Sequence, residues 1–260
     1  MYLWKYWRES RLLFIICIAG IALMFLVLLK AQPGVGQVSV DPRSGDPFSV
    51  ALVFSALLQM FPLCFVAWLL GSFGVGRDLG EGSGSYIFSR PRTRAYFAWH
   101  DWGYGMAELL AIIVLLNLAI GYHIHRFMVA AGDPNGGRIL LSGQLVPFAF
   151  AVFLNCVTAL LFAALIFSLT YFSTVLLKHS RGLIVAVGAL LGYMILKQVA
   201  EHYWPGLPLP SLIAMPTEIH VSGQIVPGLV GSIGLTVALR SAVILLFPFA
   251  AQLLLEKSDL

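Results

Sequence analysis

Charge is scarce in this chain. Lys, Arg, Asp and Glu make up 11% of its 260 residues, and 59% are hydrophobic. A soluble globular domain carries roughly 25% charged residues, so the composition excludes an ordinary soluble fold and places the chain in lipid. Cysteine is nearly absent. Cys17, Cys64 and Cys156 are odd in number, lack CxxC spacing and fall inside apolar runs, which argues for packing residues rather than disulfides or metal ligands. Catalytic and nucleotide signatures are missing too. No G-x-x-x-x-G-K-[ST], H-E-x-x-H or G-x-S-x-G occurs, so the chain is not expected to be an enzyme or to hold a nucleotide or other cofactor of its own. The net charge of +4 is not gathered into a basic patch interleaved with aromatics, and nucleic acid is not an expected partner.

What is abundant is long apolar sequence. A helix needs roughly 20 apolar residues to cross a bilayer. Leu12 to Leu29, Phe48 to Leu70, Met106 to Gly121, Leu145 to Leu177, Leu183 to about Trp204, and Leu239 to Leu255 supply six candidate spans. Met1 to Arg11, where Trp4, Tyr6 and Trp7 alternate with Lys5 and Arg8, has the make-up of an interfacial helix. The 205–238 stretch is rich in Pro and Gly, and Leu229 to Leu239 is apolar but short, as in a re-entrant piece. Together these predict an all-α membrane protein: one transmembrane domain over 1–260, six transmembrane helices, an N-terminal elbow helix over 1–11, a cytoplasmic loop over 77–101 between spans two and three, and an external re-entrant segment before span six.

The charges orient this scheme. Lys5, Arg8, Arg11, Arg77, Arg90, Arg92, Arg94, Lys178, Arg181 and Lys257 fall on one side; Lys30, Arg43, Arg126, Arg138 and Lys197 fall on the other. Basic residues collect on the cytoplasmic face, so both termini are expected there. Arg240 is expected to snorkel at the outer end of span six.

Few residues could do chemistry at membrane depth. Glu108 is the one carboxylate placed within a span, a functional candidate by default or a residue at headgroup level. Asn117 and Asn155 lie deeper and should hydrogen-bond between helices. Glu108 and Asn117 are the candidate pathway residues, and the apolar spans imply a hydrophobic or amphipathic cargo. His123 and His125 fall in an expected external loop, as solvated residues or, with partners, a metal site. Gly188 and Gly192 form a G-x-x-x-G in an apolar helix, a face on which two helices approach closely, within the chain or between two chains. Ser142-Gly143-Gln144-Leu145-Val146-Pro147 recurs as Ser222-Gly223-Gln224-Ile225-Val226-Pro227. The repeat reads as a way of starting an apolar segment from a polar turn.

The 77–101 loop carries a more specific pattern. Glu81-Gly82-Ser83 followed by Tyr86-Ile87-Phe88-Ser89-Arg90-Pro91-Arg92-Thr93-Arg94 resembles the signature of type-2 ABC transporter permeases of bacteria. Trp4 to Arg11 is similar to that family's elbow, and Leu253 to Leu260 to its usual close. Gly80, Gly82 and Gly84 depart from the pattern and weaken helix there. The resemblance implies a permease subunit of the bacterial inner membrane. It would bind a second permease subunit, and a separate ATP-binding subunit would carry the ATP and magnesium. Glu81, Gly82, Ser83, Tyr86, Ile87, Phe88, Pro91 and Arg94 would form the docking segment, and the helix of Gly188 and Gly192 would flank the dimer interface. The competing class is a six-span ion-coupled carrier or an intramembrane enzyme, without an ABC ATPase.

Overall fold

The computed structural model describes residues 2–30, 59, 62–82, 93–130, 137–141, 144–178, 182–203 and 229–257. Seven helices and two strands are described. They are α1 (Tyr2–Lys30), α2 (Pro62–Gly71), α3 (Val75–Gly80), α4 (Arg94–Ala130), β1 (Arg138–Leu141), β2 (Gln144–Pro147), α5 (Phe148–Leu177), α6 (Gly182–Tyr203) and α7 (Leu229–Lys257). Among the described residues four helices are long and apolar enough to cross a membrane: Glu9–Val27, Arg94–Ala130, Phe148–Leu177 and Val237–Lys257. The chain therefore has the helical character of a membrane protein.

Several expected boundaries move. The elbow over 1–11 is not set off from the first span, because α1 runs unbroken from Tyr2. No Gly or Pro precedes Gly20 to interrupt it. Span three was expected over Met106 to Gly121, but α4 has 37 residues and contains His123 and His125. At 1.5 Å per residue that is about 55 Å, more than the roughly 30 Å hydrocarbon core, so its ends extend past the apolar layer. The Thr93 hydroxyl accepts the Tyr96 N–H at 3.2 Å and caps the start of this helix. The 77–101 loop narrows accordingly: α3 takes one end and α4 the other. Leu229–Leu239 is not a separate piece either; it continues into α7. Arg240 is buried there, 6% exposed, not snorkelling. Six spans were expected. Of the second only 62–71 and Gln59 are described, and in α6 the apolar part is Ile184–Val199, too short for the same class.

β1 and β2 pair antiparallel, with Arg138 opposite Pro147 and Leu141 opposite Gln144. The first Ser-Gly-Gln-Leu-Val-Pro copy thus ends as strand β2, and α5 starts directly after Pro147. The second copy lies outside the described residues.

The packing is centred on α5, which touches α3, α4, α6 and α7. One apolar cluster joins Leu63, Ala67 and Leu70 of α2 to Leu109, Ile112 and Ile113 of α4 and Phe167 of α5. A second joins Val75 of α3, Phe97 of α4, Tyr171 and Val175 of α5, and Ala251 and Leu255 of α7. Helix α1 lies along α4 in the same direction, from Ser10 beside Glu108 to Leu29 beside Arg126. The outward sides of α1 and α6 expose large apolar residues such as Leu12, Leu23, Ile184 and Ile195. In lipid such faces carry no hydrophobic penalty.

Candidate functional site

Helix α3 is the fixed end of the expected docking segment, and three small residues set its place. Gly74 has φ 90 and ψ −152, a conformation essentially confined to glycine. A Cβ there would lie 2.5 Å from Asp101 Oδ2. Gly76 sits against α5 so closely that a Cβ would be 2.7 Å from the Thr174 carbonyl carbon, and Gly71 meets Phe167 and Thr170 in the same way. The absent side chains let two backbones touch. Asp101, 1% exposed, then accepts the Val75 N–H at 2.7 Å. A carboxylate on the first free N–H of a helix stabilises both the donor and the helix dipole.

Hydrogen bonds extend this anchorage to the other helices. Tyr171 Oη donates to the Ala98 carbonyl at 3.0 Å, and Trp102 Nε1 donates to Ser168 Oγ at 2.8 Å. Trp99 Nε1 donates to Gln252 Oε1 at 2.7 Å, and Arg94 donates to the Leu255 carbonyl at 2.6 Å. Arg94, expected on the docking surface, is thus the clamp between α4 and α7.

Of the other docking residues, Glu81 and Gly82 form a turn after α3, with Gly82 at φ 77. Glu81 accepts from Arg77 Nε at 2.7 Å, one helical turn away, and that bond raises the Arg77 guanidinium above its ordinary pKa. Both side chains are exposed, so the pair adds little stability. Ser83, Tyr86, Ile87, Phe88 and Pro91 lie outside the described residues.

Glu108 and Asn117 part company. Glu108 is 6% exposed and lies between α1 and α4, where Ser10 Oγ donates to Oε1 at 2.7 Å and Oε2 has no hydrogen-bond partner among the described residues. It is a buried carboxyl, not one at an exposed helix entry. Asn117 turns the other way. Its amide donates to the Ile113 carbonyl at 2.9 Å, and Asn155 Nδ2 donates to Asn117 Oδ1 at 2.7 Å. The interhelical asparagine bond is present, between α4 and α5.

His123 and His125 are two apart on a helix and so do not face one another. His123 packs against Phe127 and His125 against Phe148. Among the described residues no group of three or more His, Cys, Asp or Glu could hold a metal ion.

Gly188 and Gly192 face outward. A Cβ at either would meet nothing within 4 Å, so among the described residues this stripe packs on no other part of the chain. The side of α6 that does pack is marked by Gly182, whose Cβ position meets the Thr174 and Ser173 backbone, and by Ala186, fully buried.

Asp101, Ser10 and Gln59 are among the buried polar groups that the sequence pattern did not single out. Asp101 had a signal, the Gly71-x-x-Gly74-x-Gly76 spacing that brings its partner close; the other two had none. No family model matches the sequence, and no curated protein or solved structure matches it.

Proposed function

We propose that the chain is the membrane-spanning permease subunit of a type-2 ABC transporter, an exporter of the bacterial inner membrane with both termini cytoplasmic. It pairs with a second permease subunit and docks a separate ATP-binding subunit, which carries the ATP and magnesium, through the segment from Glu81 to Arg94. In this reading α2 and α6 complete the six spans, and Leu229–Leu239 is the outer part of the last one. The observation that supports it is the anchorage of that segment at both ends. On one side α3 is capped by Asp101 of α4 and seated on α5 without space. On the other, Arg94 is bonded to α7. In this reading a pull on either flank of the segment, at α3 or at Arg94, is felt by α4, α5 and α7, and the Glu-Gly-Ser…Arg-Pro-Arg-Thr-Arg pattern falls between those flanks.

Replacing Ile87→Asp together with Phe88→Asp tests the reading. The permease should still insert in the membrane, while the co-expressed ATP-binding subunit no longer co-purifies. Undiminished co-purification and ATPase activity would overturn it. One observation favours a second reading, an ion-coupled carrier: Glu108 is a buried carboxyl with an oxygen unpaired among the described residues, and intramembrane ionisable groups mark ion and proton paths. Transport into vesicles driven by an ion gradient without ATP, and lost in Glu108→Gln, would select the carrier.

A further inference from the structure

Between α1, α2 and α4 lies a chamber of about 510 Å³, within the 300–1,000 Å³ range of small-molecule sites. Cys17, Ile21 and Met24 line it from α1, and Ile112, Leu116 and Ile120 from α4. Those positions recur every three or four residues, so each set is one stripe of its helix. From Ile112 to Ile124 the α4 wall is about 18 Å long at 1.5 Å per residue. The chamber is elongated along the helix, and it reaches the lipid-facing surface at the exposed Gly20.

Two wall residues, Gln59 and His123, do not fit an apolar box. Gln59 is 4% exposed, lines the chamber, and among the described residues neither Nε2 nor Oε1 has a hydrogen-bond partner. An amide buried without partners loses its water hydrogen bonds uncompensated, and its terminal torsion is soft enough to turn toward a partner supplied from the chamber. The run of α2 toward Gly74, which abuts Asp101, places Gln59 in the half of the chamber away from Glu108. His123 lines the same half. Among the described residues no Lys, Arg, Asp or Glu is part of the lining.

We propose that this chamber binds a single-chain amphiphile with an uncharged hydrogen-bonding head, its chain lying along α1 and α4 and its head on the Gln59 amide. A charged head would be buried without a counter-charge. A bare hydrocarbon would leave the amide as unsatisfied as it stands. The site does not depend on what drives transport, and its test needs no ATP-binding subunit.

The full chain in phosphatidylcholine nanodiscs is photolabelled with a diazirine-bearing hexadecanol, and unlabelled hexadecanol, hexadecane and palmitate compete. The label should map to peptides of α1, α2 and α4. Hexadecanol should compete about tenfold better than hexadecane, the ratio that one ordinary hydrogen bond supplies, and better than palmitate. Gln59→Leu should keep the labelling and erase the preference for the alcohol. Gly20→Phe should lower labelling severalfold, because a Cβ at Gly20 meets nothing within 4 Å and the ring enters free space. Label scattered over lipid-facing helices, equal competition by palmitate, or an alcohol preference that survives Gln59→Leu would overturn the proposal. So would Cys17-directed crosslinking that joins two chains and blocks labelling, since the occupant would then be a second copy.

Discussion

Glycine does opposite things around α3 and on α6. Around α3, Gly71, Gly74 and Gly76 leave no room at all: each missing Cβ is filled by backbone or side chain of α4 or α5. On α6, Gly188 and Gly192 have the spacing of a helix-packing motif, yet nothing of the described chain lies within 4 Å. The first group has its partner inside the molecule. The second presents a flat strip beside exposed Ile184, Leu191 and Ile195, where close approach is available and unused. Small residues drive association in lipid only when a second backbone arrives, so glycine spacing by itself does not say where the partner is.

Changes at three places break or sharpen this contrast, and the expected effects fall in order. Gly76→Leu forces a side chain into the α5 backbone at Thr174 and should destabilise the fold by about 3 kcal/mol, the upper end of ordinary overpacking. Thermal unfolding of the purified protein in detergent measures it, and a variant as stable as the parent would show that α3 can lift off α5. Asp101→Ala removes the charged acceptor from the Val75 N–H and should destabilise by about 1.5–3 kcal/mol. Asp101→Asn keeps an acceptor and should recover most of that. Equal losses in both variants would mean that packing volume, not the bond, is what Asp101 contributes. Gly188→Leu with Gly192→Leu should not destabilise the fold, since no described residue packs there and leucine is the better helix former. Its effect should appear in association, as loss of the paired form by cysteine crosslinking near Gly188 in a background lacking Cys17, Cys64 and Cys156. A stability loss as large as that of Gly76→Leu would place a partner for this face inside the chain.

The sequence pattern carried the helical membrane class and most helix positions, because a run of roughly 20 apolar residues has few other outcomes. It misplaced helix ends. Tyr, Trp, His and Arg at Tyr96 to Trp102 and at Tyr122 to Arg126 read as loop by hydropathy, yet they are compatible with helix and continue α4. Hydropathy measures which medium a residue prefers, not whether its backbone stays helical. The bond between Asn117 and Asn155 was legible, since a buried amide in lipid must find another polar group. Which way Glu108 turned was not, because that depended on Ser10, far away in sequence and brought alongside only when α1 docks on α4.

Composition and apolar run length by themselves determined that this chain is helical and suited to a membrane, since desolvating that many apolar residues and pairing every backbone group within its own helix are local requirements. Tertiary structure alone decided that Asp101 caps α3, that Arg94 clamps α7, and that Gln59 is left, among the described residues, with an unpaired amide beside an apolar chamber. Each of those depends on which residue of a distant helix arrives opposite it, and that is set by the fit of whole helix faces rather than by any neighbour in the chain.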